Sequence, residues 1–131
     1  MIKATPARVY AALTEAKQFD GVARLSDAMK TMPLKDNPSV ISNEVGGAFA
    51  LFGGYVTGRQ IELVPGTRVV QAWRAGSWKP GDYSLVTWRL AAQGAGTRLT
   101  LDHAGFPPGE AQHLAEGWQL NYFVPLAKYL A

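Results

Sequence analysis

Asp102 and His103, adjacent near the end of an alternating segment, are the most suggestive pair for acid–base chemistry. Neighbouring residues on a strand point to opposite faces, so the two cannot act on each other as a dyad. A His103 facing inward beside Leu101 would instead be a polar anchor or a lone acid–base group, which makes it the one candidate catalytic residue. Its plainer reading is a strand-end histidine bonded to a backbone carbonyl. His113 and Glu116, with Glu110 nearby, sit one helical turn apart, a spacing that can hold a metal. Zinc needs three or four ligands, however, and the chain has only 2 histidines and no cysteine. A solvated helix face is the reading adopted, and neither metal nor cofactor is expected. Ser26, Ser39, Ser42, Ser77 and Ser84 lack the Gly-x-Ser-x-Gly setting of an activated nucleophile. Gly46-Gly47 and Gly53-Gly54 lack the strand-to-helix context of a phosphate loop and read as hairpin turns.

The aromatic residues say more. Phe49, Phe52, Tyr55, Trp73, Trp78, Trp88, Trp118 and Tyr122 are spread over the strand-like and helical parts of the chain. Each such ring buries ~150–250 Å² and favours edge or offset contacts with others. Most belong to an ordinary core. The rest would line a pocket for a planar or apolar guest. The expected ligand-binding set is Phe52, Tyr55, Arg59, Trp73, Trp88, His103, Trp118 and Tyr122, with Gln71 or Thr87 as further orienting groups. Trp78, in the turn from Ser77 to Gly81, is expected as an exposed ring suited to a lid or a partner contact.

These residues need a scaffold, and 131 residues suit a single domain with one core. Hydrophobic residues make up 47% and charged residues 18%, so the chain can bury a core. No apolar run approaches the ~20 residues of a membrane span, and no continuous apolar block follows Lys3 and Arg8 as in a secretory signal. A cytoplasmic location is the default expectation. The formal charge of +3 with a pI near 9.3 raises the question of nucleic acid. Arg59, Arg68, Arg74, Arg89 and Arg98, however, are spread singly along the strand-like segments, whereas nucleic-acid binders usually cluster their basic residues. No nucleic-acid partner is expected.

Helical periodicity marks the two ends and strand-like alternation the middle. Thr5-Pro6 reads as an N-cap followed by a first-turn proline, and Val9, Tyr10, Ala12 and Leu13 share a face, so the spacing predicts a helix over about Pro6 to Lys17. Gln18 to Leu34 reads as irregular, broken at Asp20-Gly21, with a short helix near Ser26 to Lys30. Recurrent Gly and Pro turns then separate six predicted strands: Ser39 to Asn43, Ala48 to Phe52, Val56 to Leu63, Thr67 to Ala75, Asp82 to Ala91 and Thr97 to His103. Alternation groups Thr57, Arg59, Ile61 and Leu63 on one face, Val86, Trp88 and Leu90 on another, and Leu99 and Leu101 with His103. After Phe106-Pro107-Pro108-Gly109, an apolar stripe of Leu114, Trp118, Tyr122, Leu126 and Tyr129 or Leu130 predicts a long terminal helix. Pro125 lies in the stripe and removes the bond to the Asn121 carbonyl, so a bend is expected there. One helix across a curled sheet does not fill the concave surface, which is the physical basis for expecting a pocket.

Gly54-Tyr55-Val56-Thr57-Gly58, Leu63-Val64-Pro65-Gly66, the run from Val69 to Trp73-Arg74, and Gly117-Trp118 with Tyr122-Phe123 carry a family resemblance in their order and spacing. They resemble the domain shared by the C-terminal part of the Hsp90 ATPase activator (Aha1 type) and its bacterial single-domain relatives, within the START-like, Bet v 1-like superfamily. The resemblance covers nearly the whole chain and is strongest from Gly46 to Leu130. It implies an α+β helix-grip fold: a curved antiparallel sheet around a long C-terminal helix, with a central cavity. The family normally opens with a full edge strand, here reduced to Met1 to Ala4, so that segment is either truncated or the sheet edge is short. The activator's separate N-terminal domain has no counterpart here, so its co-chaperone activity is not carried over. Fold likeness is a weak warrant for activity. The readings therefore stand in this order: non-catalytic binding of a small hydrophobic or aromatic ligand, interaction with an Hsp90-type chaperone, and an enzyme of the polyketide cyclase or hydrolase kind. A homodimer is kept as a further partner reading.

Overall fold

The computed structural model describes residues 2–30 and 38–131. Its order is two short helices, a six-stranded meander and a broken terminal helix. Helix α1 (Pro6–Thr14) starts as expected, with the Thr5 hydroxyl accepting from the Arg8 N–H at 3.4 Å and Pro6 at the first position. It ends three residues early. Thr14 turns its hydroxyl back to the Tyr10 carbonyl at 2.7 Å, and Glu15 adopts an extended conformation.

A second helix, α2 (Ala16–Ala23), occupies ground expected to be irregular, and Asp20-Gly21 lies inside it. Tertiary packing explains the glycine: a Cβ at Gly21 would stand 2.4 Å from the Tyr129 ring. The residue brings two helices together and does not end one. A short 3₁₀ turn at Ala28–Lys30 matches the predicted short helix. The Thr31 to Leu34 part of the expected irregular segment lies outside the described residues.

Strands β1 (Val40–Ile41), β2 (Ala48–Leu51), β3 (Val56–Val64), β4 (Arg68–Ala75), β5 (Ser84–Gln93) and β6 (Gly96–Ala104) pair antiparallel in sequential order. Register and burial place Val56, Gly58 and Gln60 of β3 on the inner face with Gln71, Trp73 and Ala75 of β4. Ser84, Val86, Trp88 and Leu90 of β5 follow, then Leu99, Leu101 and His103 of β6. One expected grouping fails. The β3–β4 register shifts between Gln60 and Glu62, so Ile61 bulges outward and Leu63, opposite buried Val69, leaves the face of Thr57 and Arg59. Ahead of α1, Ile2 exchanges two 2.8 Å backbone bonds with Thr97.

The terminal helix lies over the inner face. It comprises α3 (Ala111–Trp118), a π turn (Gln119–Phe123) and α4 (Val124–Tyr129). Where a bend at Pro125 was expected, the helix has this wider turn just before the proline. The Val124 N–H reaches back five residues to the Gln119 carbonyl, so the wider turn ends directly before Pro125, which has no N–H to donate. The predicted stripe is buried throughout: Leu114, Trp118, Tyr122, Leu126 and Leu130 join Val9, Phe19, Val22, Val69, Val86 and Trp88 in one core. The fold is therefore an α+β helix grip, a curved antiparallel sheet closed on one side by helices.

Candidate functional site: an aromatic cleft beside the terminal helix

Rings fill most of the space under the helix. Trp88 is 2% exposed and meets Trp118 edge-on at 5.6 Å, Tyr122 at 5.9 Å and Phe123 at 5.6 Å. The packing gives out where α3 passes the β4–β5 connection, leaving a cleft of about 330 Å³. Its walls are Phe52, Val56, Trp73, Trp78, Leu114, Trp118 and Tyr122, with Met29 at one side. Ser77, Glu110, His113 and Asn121 supply the polar side chains of its lining. The hollow is thus a cleft at one end of the grip, where a central cavity was expected.

Five of the expected ligand-binding residues meet there: Phe52, Tyr55, Trp73, Trp118 and Tyr122. Phe52 does not end a strand, as expected. It begins a 3₁₀ turn at φ 53°, the one non-glycine residue with positive φ among the described residues. Such a backbone persists only where surroundings hold it. Here the ring is clamped edge-on between Phe19 at 5.6 Å and Tyr122 at 5.3 Å. Tyr55 stands partly exposed, its hydroxyl 3.1 Å from that of Ser77.

The remaining expected residues lie elsewhere. Trp88 forms the floor beneath Trp118, one layer behind the lining. Arg59 projects from the outer sheet face and donates to the Gly46 carbonyl at 3.1 Å, because β3 alternation gives the inner face to Gly58 and Gln60. Thr87 also faces outward, opposite Val70 and Asp102. Gln71 faces inward but is consumed by a buried amide pair, donating to Gln60 Oε1 at 3.1 Å while Gln60 donates to the Ser42 carbonyl.

His103 is inward as expected, yet it is absent from the cleft lining. Trp118 Nε1 donates to its Nδ1 at 3.1 Å, and an indole N–H can only donate, so Nδ1 carries no proton. The proton therefore sits on Nε2, which donates to Ser84 Oγ at 2.7 Å; that hydroxyl donates in turn to the Trp73 carbonyl at 2.8 Å. Burial lowers the His103 pKa to about 4, so the ring is neutral near pH 7. Both nitrogens are occupied by partners within the protein. The imidazole joins helix to sheet and has no free edge for a substrate.

Trp78 is the other correction. Its ring is 6% exposed where an exposed lid was expected. It packs edge-on against Trp73 at 5.6 Å and donates from Nε1 to Glu110 at 3.2 Å, pinning the start of α3 to the β4–β5 turn. Tyr122 is 5% exposed: no hydrogen bond meets its hydroxyl, and burial pushes its pKa well up. Among the described residues no group of three or more His, Asp or Glu is placed to hold a metal.

Sequence reasoning missed Met29, Asn121 and Gly117. Asn121 Oδ1 accepts from the Ala28 N–H at 2.9 Å, tying the 3₁₀ turn to the π turn across 93 residues of chain. Gly117 lies on the lining, and a Cβ there would meet only the Asn121 amide at 3.9 Å. Nothing local in the sequence announces either contact.

Similarity to known proteins follows the same architecture. The chain is 31% identical over 86 residues to the activator of 90 kDa heat shock protein ATPase homolog 1 from Homo sapiens, covering 66% of this chain and 25% of that protein. It thus spans about a quarter of that relative's length. The structure of an HSP90 activator from Plasmodium falciparum superposes with a TM-score of 0.83 at 24% identity, over 98% of this chain and 89% of the other. The Aha1 dimer from Colwellia psychrerythraea gives a TM-score of 0.74 at 18% identity, over 98% and 90%. With a matching meander, grip helix and sequence pattern over residues 3–131, this chain belongs to the family described as Activator of Hsp90 ATPase homolog 1-like protein.

Proposed function

We propose that the chain binds a small, largely apolar or aromatic molecule, without chemical conversion, in the cleft between α3 and the β4–β5 turn. The observation that carries this reading is an unfilled volume of about 330 Å³ among three tryptophans, Phe52 and Tyr122 in an otherwise close-packed core. That volume falls within the ~300–1,000 Å³ of small-molecule pockets, and the few polar groups in the lining match how such sites orient a guest. Aromatic walls favour a flat ligand.

A thermal-shift screen with fatty acids, flavonoids and polycyclic aromatic acids tests it. A ligand at 100 times its Kd adds ~2.7 kcal/mol, a Tm rise of several degrees. Gly117→Leu places its side chain in the cleft without a steric clash at Cβ and is expected to abolish that rise while still folding. If no compound shifts wild type, or the variant responds equally, the cleft reading falls. A second reading, docking to an Hsp90-type chaperone, is favoured by family membership and by the activity named for the relatives.

A further inference from the structure

The five arginines that stand singly in sequence do not stand singly in space. β3 to β6 carry Arg59, Arg68, Arg74, Arg89 and Arg98, no lysine, and only Glu62 and Asp102 as carboxylates. The register puts all seven on the outer face: Arg74 opposite Thr57, Arg59 opposite Ala72, Arg68 opposite Arg89, Arg89 opposite Thr100, Arg98 opposite Ala91. Strand alternation accomplishes this, since each arginine lies an even number of places from the others on its strand or its pairing partner. This face accounts for the whole formal charge of +3, because the remaining charged residues of the chain cancel.

Two of the arginines have structural work. Arg59 caps a turn through Gly46, while Arg74 donates to the carbonyls of Trp78, Lys79 and Asp82. The other three surround a second hollow of about 360 Å³, framed also by Thr67 and Thr100. Arg68 pairs with Glu62 and Arg89 with Asp102 through side chains that remain 39% and 54% exposed. Such exposed pairs are weak and exchangeable. The Arg98 side chain has no hydrogen bond or ion pair among the described residues. Like charges directly across a strand pair disfavour the sheet, so Arg68 opposite Arg89 with Arg98 beside them is an arrangement the fold does not need.

We propose that this outer face of β4–β6 docks an acidic segment of a partner protein, with Arg68, Arg89 and Arg98 taking its carboxylates. Guanidinium forks match carboxylates bidentately, and arginine without lysine is the composition of protein interfaces. Exposed Ile61, Tyr83 and Leu85 on or beside the same strands offer apolar contact to a polypeptide. Glu62 and Asp102 interrupt the positive field, which disfavours a continuous run of phosphates and admits separate carboxylates. The face lies across the sheet from the cleft, so the two proposals stand or fall separately.

The test is an NMR titration of the ¹⁵N-labelled chain with poly-L-glutamate at low salt, following backbone amide and arginine Nε–Hε signals. Expected are shifts confined to β4–β6, with cleft residues unmoved, and about tenfold weaker binding in Arg98→Glu, the cost of turning one exposed attraction into repulsion. The Arg98 side chain makes no bond among the described residues, so the variant keeps its Tm. Arg8→Glu on α1, the same change of charge elsewhere, leaves binding unchanged. Shifts spread over the surface, an equal loss in both variants, or tighter binding of oligothymidylate or phosphatidylserine vesicles at matched ionic strength overturns the proposal.

Discussion

His103 shows how a residue that invites a catalytic reading is put to structural use. Its neutral ring accepts from Trp118 on the helix and donates to Ser84 on the sheet, so it is a hydrogen-bonded spacer between two layers. Replacing it with leucine leaves the Trp118 N–H unpaired in a desolvated site, and urea unfolding is expected to show a loss of about 1–3 kcal/mol. Its titration gives a second signature. The folded pKa of about 4 lies below the ordinary 6.5, so the unfolded chain binds this proton more tightly. The stabilisation is complete above about pH 6.5, declines as pH falls towards 4, and changes no further below that. His103→Gln removes this group's contribution to the slope of stability between those pH values; an unchanged slope would show that the ring is not held neutral. The inward orientation was legible from alternation with Leu101. The partner tryptophan, 15 residues away, was not.

Among the elements, the six strands were read to within two residues at each end, because a meander is built from local signals: β-rich runs and Gly or Pro at reversals. Three features escaped. The α1–α2 break, the bulge at Ile61 and the wider turn before Pro125 lay outside those signals, and other positions depend on a distant surface. Gly58 illustrates the dependence. It lies mid-strand in β3, where glycine ordinarily weakens pairing. A Cβ there would stand 1.9 Å from the Ala72 carbonyl oxygen and 2.6 Å from the Phe49 ring. Gly58→Ala is therefore expected to cost about 3 kcal/mol in chemical denaturation, by forcing β3 from β4 and displacing Phe49. A loss under 1 kcal/mol would mean that the sheet yields there.

For the molecule as a whole, two surfaces are offered on opposite sides of one sheet. The inner side is closed by α1, α2 and the terminal helix except at the aromatic cleft, and the outer side presents the arginines. A protein partner of the Hsp90 type would meet exterior surface, whereas a small ligand enters the cleft. Adding the chain to an Hsp90-type ATPase and measuring ATP turnover separates these roles. If docking to that chaperone is the chain's function, turnover changes in a saturable way and Gly117→Leu behaves as wild type. A flat titration with no binding in pull-down leaves ligand binding as the surviving function. No helix among the described residues is long and apolar enough to cross a membrane.

The order of residues was enough to specify helix, meander and grip helix, the buried stripe from Leu114 to Leu130 and the inward Trp88 and Trp118, since periodicity records which side of each element meets the core. It was enough, too, to place Phe52, Tyr55, Trp73, Trp118 and Tyr122 among the residues around a hollow. The position of that hollow depended on how rings from four separate segments pack, a volume balance that no single segment encodes. The same holds for Arg68, Arg89 and Arg98. Each is an isolated charge along its own strand, and they become a cluster only when the register of β4, β5 and β6 sets them side by side.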